Sequence, residues 1–405
     1  MNEPRVSVVI PYFENQAGLD RALAALARQD FSVRQLEVVV GDDGSAVPPV
    51  LPATPFPCRV VRQQNLGFRA GAARNLGARA ASGEVLVFLD GDMIPEPGFV
   101  GALLAGLESA DDGHGVLAVG ARHHADLTGC GVTGVLRWVA GEPVPGVRRL
   151  QDPAWLTDGY RRTENLRAAG TEDFRLVISA LLAVDRALFE RCGGFDETLV
   201  GYGGEDWDLA YRCRQLGAQF IHVPGAGAWH DGPDLAGRAS TRAVKDAETL
   251  ALARRIPLPS TRGAGVVHEQ PWAVVRVAGH RDDAEAYLTA SHVLRDTDAG
   301  VWFTDRDEVP EALAADPRVR TGEPPARILD RAVVAVDVLA PLVLDVALRQ
   351  WCARGESHVP GLLTVRSVRA VHRGESRPET VAPADSAAHA ADTDRRLEDR
   401  VEHHG

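Results

Sequence analysis

The chain has 405 residues, 45% hydrophobic and 25% charged, with 40 Gly and 25 Pro; this is ordinary globular composition, long enough for more than one domain, and it excludes a fibrous or wholly disordered chain. A formal net charge of -12, from 44 basic and 56 acidic residues without a dense Lys/Arg stripe, argues against nucleic acid as a partner. Cys58, Cys130, Cys192, Cys213 and Cys352 form no C-x-x-C pair, the apolar run near the N-terminus is too short for a signal-peptide core, and the greasiest stretch (332–348) is broken by Asp337, Pro341 and Asp345; the expectation is a cytoplasmic protein with reduced thiols and no membrane span.

In chain order, "RVSVVIPYF" (5–13) is a β-branched run that suits a buried strand, Leu19, Leu23 and Leu26 follow at helical spacing, and "LEVVVGDDGS" (36–45) is a second buried strand closing in turn residues. "CRVVRQQN" (58–65) predicts a strand, "GFRAGAARNLGARAASG" (67–83) a small-residue helix stopped at Gly83, "EVLVFLD" (84–90) a strand, and "PGFVGALLAGLES" (97–109) a helix with Pro near its start. This alternation predicts a doubly wound sheet. Residues 120–170 read as a long irregular, Arg-rich region of functional type, with His123 and His124 on its surface. Order returns with a predicted strand "RLVISALLAV" (175–184), a short helix "DRALFERCGG", the segment "FDETLVGYGGEDWDLAYRCRQLG" (195–217), the strand "AQFIHVP" and "GAGAWHDGPD".

A polar helical linker is expected over 236–265, bounded by Pro257 and Pro259, after a first domain spanning 1–235. Within a smaller α/β domain, 266–375, residues 272–308 repeat the opening layout of strand, helix and acid-ended strand, which suggests a degenerate half-repeat of the first domain without a D-x-D. The tail 376–405 is rich in Ala, Pro, Asp and His, with little to bury, and reads as disordered.

The chemistry concentrates at strand ends, where open α/β sheets bind ligands. In "VFLDGDMIPEPG" (87–98), Asp90 and Asp92 stand on alternate positions around Gly91; hard oxygen donors of this kind suit Mg²⁺ or Mn²⁺, although D-G-D by itself is equally a turn. Asp43 ends a neighbouring strand, where an acceptor-only carboxylate matches the imide N–H of a uracil-type base; Asp42 beside it reads as a turn residue. Arg69 and Arg74, on the small-residue helix, can pair with phosphate or carboxylate. In "GYGGEDWDLAYR" (201–212), Gly201, Gly203 and Gly204 lead into a helix whose first turn holds Glu205, Asp206 and Asp208. Acids there are expected from capping alone, but with Trp207 they also suit a ring-shaped ligand whose hydroxyl meets a carboxylate. His230 follows another strand of the same sheet.

Taken together, "VSVVIPYFEN", "LEVVVGDDGS", "QQNLGFRAGAARNLGARAASGEVLVFLDGDMIP", "GGFDETLVGYGGEDWDLAYR" and "AWH" resemble the inverting family-2-type glycosyltransferases of the GT-A fold over about residues 5–235. The fourth motif is close to the acceptor-side motif of chondroitin-polymerase-like and β-galactosyltransferase-like enzymes. The resemblance implies a Rossmann-like mixed sheet with helices on both faces, a nucleotide-sugar donor of the UDP type, and Mn²⁺ or Mg²⁺. It also implies roles. Pro11, Tyr12 and Glu14 would line the nucleoside pocket and Asp43 would contact the base; Asp90 would sit near ribose and metal, with Gly91 beside it. Asp92 and His230 would ligate the metal on the diphosphate. Asp206 would be the general base, with Glu205, Gly203, Gly204 and Trp207 shaping an acceptor site for a saccharide, a lipid-linked sugar, a peptide or a small metabolite. Haloacid-dehalogenase-like phosphatases also carry D-x-D, but they require Thr two residues after the second Asp, where this chain has Ile94. A non-catalytic nucleotide-sugar-binding scaffold is the alternative from another class.

Overall fold

The computed structural model describes residues 4–110, 112–233, 242–263, 266–382 and 386–391. The chain divides into two units, Met1–Arg214 with Ala218–Ala251, and Gln215–Gly217 with Leu252–Gly405.

In the first unit the elements are β1 (Val6–Tyr12), α1 (Gln16–Leu26), β2 (Leu36–Asp42), β3 (Cys58–Arg62), α2 (Ala70–Ala80), β4 (Val85–Leu89), β5 (Met93–Pro95), α3 (Phe99–Ala110), β6 (Val116–Asp126), α4 (Val132–Val139), β7 (Arg148–Arg149), α5 (Ala154–Arg162), β8 (Leu181–Asp185), α6 (Arg186–Arg191), α7 (Glu205–Gln215), β9 (Gln219–Asp231) and α8 (Arg242–Ala253). They build a nine-stranded mixed sheet in the order β3-β2-β1-β4-β8-β6-β9-β5, with β7 pairing β6. Strands β1 to β4 are mutually parallel where they pair, and β8 runs antiparallel to β4 and β6.

Alternate side chains of a strand face opposite ways, and both faces here are covered. Val6, Val8, Ile10, Val38, Val40, Val85 and Val87 share one core with Leu19, Leu23 and Leu26 of α1 and Leu103 and Leu107 of α3. The opposite face receives α2, whose small residues allow very close packing: a Cβ on Gly77 would lie 2.4 Å from Val9 Cγ1, and one on Gly41 of β2 would lie 2.3 Å from the Ala73 carbonyl oxygen. The expected mixed sheet with helices on both faces is therefore what forms.

Three local expectations change. The predicted strand over 175–184 begins only at Leu181; Asp173–Leu176 is a 3-10 turn, and the stretch between them lies along a cavity wall. The irregular region contains the C-terminal half of β6, so His123 and His124 are strand residues and His124 is fully buried. Its Nδ1 hydrogen-bonds to the Gly232 carbonyl at 2.8 Å, just past the end of β9, which helps a polar ring tolerate burial. Finally, β9 is one strand through Asp231, with an irregularity opposite Gly120/Ala121.

The second unit contains β10 (Ala273–Val277), α9 (Asp283–Leu294), β11 (Gly300–Phe303), β12 (Val319–Thr321), α10 (Ala326–Leu329), β13 (Val334–Val338), β14 (Leu342–Leu344), α11 (Leu348–Cys352), β15 (Ser357–Val359), β16 (Leu363–Ser367), α12 (Val368–His372), β17 (Glu379–Thr380) and β18 (Ala388–Ala390). Its main sheet runs β12-β11-β10-β13-β16-β15-β17, with β14 and β18 paired apart. The order β12-β11-β10-β13-β16 and its pairing senses match β3-β2-β1-β4-β8. Val85 pairs with Asp185 and Val334 with Ser367, and each of those partners caps a short helix. Met93 of β5 faces His230 across an antiparallel pair; Leu342 of β14, at the same spacing from its preceding strand, faces Ala390. Where β4 is followed by Asp90-Gly91-Asp92, β13 is followed by Leu339-Ala340-Pro341. The part of the tail expected to be disordered from Ser376 supplies β17 and β18, held by backbone pairing to β15 and β14; residues 392–405 of that expectation lie outside the described residues.

Candidate active site

A cavity of about 360 Å³ opens at the carboxyl ends of β1, β2 and β4, within the size range of ligand pockets. Its wall includes Pro11, Tyr12, Asp43, Arg74, Asp90, Gly91, Asp92, Gly203, Glu205, Asp206 and His230. Segments separated by more than 200 residues of sequence thus meet at one place, as the site reading requires. Glu14, Arg69, Gly204 and Trp207 are not on the wall.

On the β2 side, Asp42 accepts from the Ser45 N–H at 2.9 Å, the turn role expected of it. Asp43 is nearly buried and held from two sides, by Gln63 Nε2 at 2.7 Å and by the Arg69 backbone N–H at 2.8 Å. Arg69 therefore contributes its backbone to the site, and its guanidinium donates to the Gln64 carbonyl at 2.5 Å. Glu14, at φ 47, turns outward and accepts from the Ala46 N–H at 3.0 Å.

On the β4 side, Asp92 Oδ2 lies 3.3 Å from His230 Nε2. His230 Nδ1 sits 3.1 Å from the Gly232 carbonyl; donation of Nδ1–H there presents the Nε2 lone pair toward Asp92, the tautomer a metal ligand needs. The His124 ring, 4.9 Å from that of His230 between centroids, backs it. One carboxylate and one imidazole fit Mn²⁺ or Mg²⁺ that completes its shell with water and substrate phosphate. Asp90 Oδ1 accepts from Arg74 Nη2 at 2.6 Å, and no group of three or more potential metal ligands is assembled among the described residues.

On the α7 side, Glu205 accepts from Arg74 Nη1 at 3.0 Å. Burial opposes the charge on Arg74, but Asp90 and Glu205 outweigh it and hold the guanidinium charged. Asp206 accepts from the Trp207 N–H at 2.9 Å. Its carboxyl is pushed up to about 7, first by burial and then by the neighbouring Glu205 charge, with Arg74 pulling the other way. A carboxyl set there can take or release a proton near neutrality. Trp207 packs edge-on against Phe174, with ring centroids 6.4 Å apart.

Phe13, Phe68, Tyr202, Arg122 and Ser179 are wall residues that the sequence reading missed. Phe13, Phe68 and Tyr202 are each almost half exposed, and the rings of Phe68 and Tyr202 lie 5.8 Å apart. Exposed aromatics adjoining glycines with positive φ, here Gly67, Gly201 and Gly203, are a signal that could have found two of them.

The model of glycosyl transferase family 2 matches residues 7–126, and one described as the N-terminal domain of galactosyltransferase matches residues 172–230. Validoxylamine A glucosyltransferase of Streptomyces hygroscopicus subsp. jinggangensis (strain 5008) is 35% identical over 226 residues, 53% of this chain and 52% of that protein. Chondroitin synthase of Escherichia coli is 30% identical over 62% of this chain and 38% of its own length. The chain therefore spans about half the length, or less, of these relatives. Among solved structures, S. aureus TarS 1-349 in complex with UDP-GlcNAc superposes with a TM-score of 0.42 at 15% identity, over 61% of this chain and 65% of that one. Residues 7–126, with the strand-end acids, thus form a glycosyl transferase family 2 domain, and residues 172–230, with the GGED-led helix, match the N-terminal domain of galactosyltransferase.

Proposed function

We propose that the protein transfers a sugar from a uridine diphosphate sugar to an acceptor hydroxyl, with inversion at the anomeric carbon and with Mn²⁺ or Mg²⁺ as cofactor. The observation that carries this reading is the convergence of Asp43, the Asp92–His230 pair and Asp206 on one cavity. Asp43 accepts from the base, Pro11 and Tyr12 flank the nucleoside, and Asp90 lies toward the ribose. Asp92 and His230 hold the cation, which supplies Lewis-acid stabilisation to a departing diphosphate. Charge supports a cation: the wall carries Asp43, Asp90, Asp92, Glu205 and Asp206 against Arg74 and Arg122, and a diphosphate brings further negative charge to it.

Asp206 removes the proton from the acceptor hydroxyl as its oxygen attacks the anomeric carbon, while the bond from that carbon to the diphosphate oxygen breaks on the far side. A single displacement of this kind inverts the centre. Glu205, Gly203 and Gly204 shape the acceptor side, where the ligand is a saccharide, a lipid-linked sugar, a peptide or a small metabolite. Residues 266–375 act as a degenerate half-repeat without catalysis of its own, joined through 236–265. The thiol state of all five cysteines fits a cytoplasmic protein.

The test is a thermal-shift screen of nucleotide sugars with and without Mn²⁺, followed by transfer assays on Asp206→Asn. Stabilisation by a nucleotide sugar together with an inactive Asp206→Asn that still binds it supports the reading. Wild type that binds donor yet neither transfers nor hydrolyses the sugar supports the scaffold alternative, and wild type that no nucleotide stabilises refutes both.

A further inference from the structure

Arg74 reaches both halves of the cavity. From the middle of α2 its guanidinium forks, with Nη2 donating to Asp90 Oδ1 at 2.6 Å and Nη1 to Glu205 Oε1 at 3.0 Å. The side chain is 4% exposed, whereas Asp90 keeps 32% of its side chain open to the cavity and Glu205 keeps 14%. The Phe195 ring, 5.4 Å from the guanidinium carbon, covers it, and Asn75 Nδ2 donates to the Phe195 carbonyl at 2.8 Å. One turn earlier, Gly71 lets α7 come close, since a Cβ there would stand 3.2 Å from Phe195 Cβ and 3.6 Å from Glu205 Cβ. The small-residue pattern of α2 is what brings the guanidinium between the two carboxylates. Planar, multi-donor geometry of this kind belongs to Arg and has no equivalent in Lys.

We propose that Arg74 is a positioning residue that couples the donor side of the cavity to its acceptor side: a ligand that engages Asp90 shifts the guanidinium's attraction toward Glu205, and a change at Glu205 is returned to Asp90. The inference rests on the assignment of the Asp90–Asp92 side to the donor. Two acids compete for one cation at fixed reach, so a stronger claim on either weakens the hold on the other. Linkage makes the effect reciprocal, and couplings between sites fall typically in the range of about 5–150-fold.

The experiment is calorimetric titration of the full chain with UDP in the presence of Mn²⁺, for wild type, Glu205→Gln, Arg74→Lys and the double variant, with thermal melting as the folding control. Glu205→Gln removes the competing charge and leaves Arg74 wholly to Asp90, so UDP·Mn²⁺ affinity is expected to fall about fivefold, the low end of such couplings. In the Arg74→Lys background, where an ammonium cannot serve both acids, the same Glu205→Gln change is expected to shift affinity less than twofold. A wild-type background in which Glu205→Gln leaves affinity unchanged overturns the proposal. So does an equal fall in both backgrounds, which assigns the effect to through-space charge. If Arg74→Lys fails to fold, the Glu205→Gln comparison alone still decides against the proposal when affinity is unchanged, and Arg74→Gln replaces it as the uncoupled background. If wild type binds no UDP·Mn²⁺ at all, the donor assignment has failed, an outcome distinct from loss of the coupling.

Discussion

Asp206 carries the sharpest consequences of residue-scale electrostatics. Because its carboxyl is lifted to about 7 by burial and by Glu205, Asp206 in its proposed role as base is competent only once deprotonated, so the transfer rate is expected to rise with pH through a midpoint near 7; a profile flat from pH 5 to 9 would exclude Asp206 as base. Asp206→Asn should lower kcat by about 10²–10⁴-fold while sparing donor affinity. A raised folded value means that the neutral form stabilises the fold below the unfolded value of 3.8 and that this contribution is lost as pH climbs through about 7. Asp206→Asn should therefore melt like wild type near pH 4 and be more stable above pH 8, by roughly 1–2 kcal/mol after allowance for screening at a half-buried site. At the same scale, His230→Ala should weaken UDP binding measured with Mn²⁺ more than UDP binding measured in EDTA, because Nε2 faces Asp92; equal losses in the two titrations would remove His230 from the cation site. The acids and His230 were readable from sequence because their spacing matches strand ends and a helix start. Arg122, Phe68 and Tyr202 were not, because what brings them to the cavity is strand register and loop closure, which no local pattern records.

At the scale of elements, α2 shows how composition becomes geometry. Gly41 faces the Ala73 carbonyl so closely that Gly41→Ala should cost about 1–3 kcal/mol, read as a lower midpoint in urea; unchanged stability would mean that α2 can retreat from β2. The N-terminal end of this sheet is fastened by Glu37, almost fully buried, which accepts from Ser7 Oγ at 2.6 Å, from the Ser82 N–H and Oγ at 2.5 and 2.8 Å, and from Arg59 at 2.7 Å. Burial alone would raise its carboxyl, yet these donors bring it down to about 2. A lowered folded value gives stability that is full above the unfolded value of 4.5 and is lost as pH falls toward 2. Glu37→Gln should cost about 2–3 kcal/mol at pH 7, and chemical denaturation at pH 3 should find the gap narrowed. The β-α alternation was legible through residue 110 because runs of β-branched residues and helical Leu spacing are local signals. The strand through His123 and His124 was not, because the polar rings of β6 bond to Asp152 and to the Gly232 carbonyl and its backbone pairs with β9, partners far away in sequence.

The whole molecule comprises two units, each with a hydrophobic core of its own. Heating should give two unfolding transitions, and UDP with Mn²⁺ should raise only the one belonging to the first unit, since a ligand stabilises what it binds; differential scanning calorimetry decides, and a single transition that shifts as one would refute the independence of the units. The sequence hinted at a second layout through residues 272–308, where strand, helix and strand recur. It could not show that the likeness runs on to β14 and β18, because those strands are short and their pairing is distant. That likeness bears on stoichiometry. Where the first unit offers Asp90, Asp92 and His230, the second presents Leu339, Pro341 and Ala390 at the matching places. Hydrocarbon and a pyrrolidine ring donate no electron pair to a cation, so a chain with two similar halves should titrate with one equivalent of nucleotide, and charge removed at Asp92 alone should silence the whole of it.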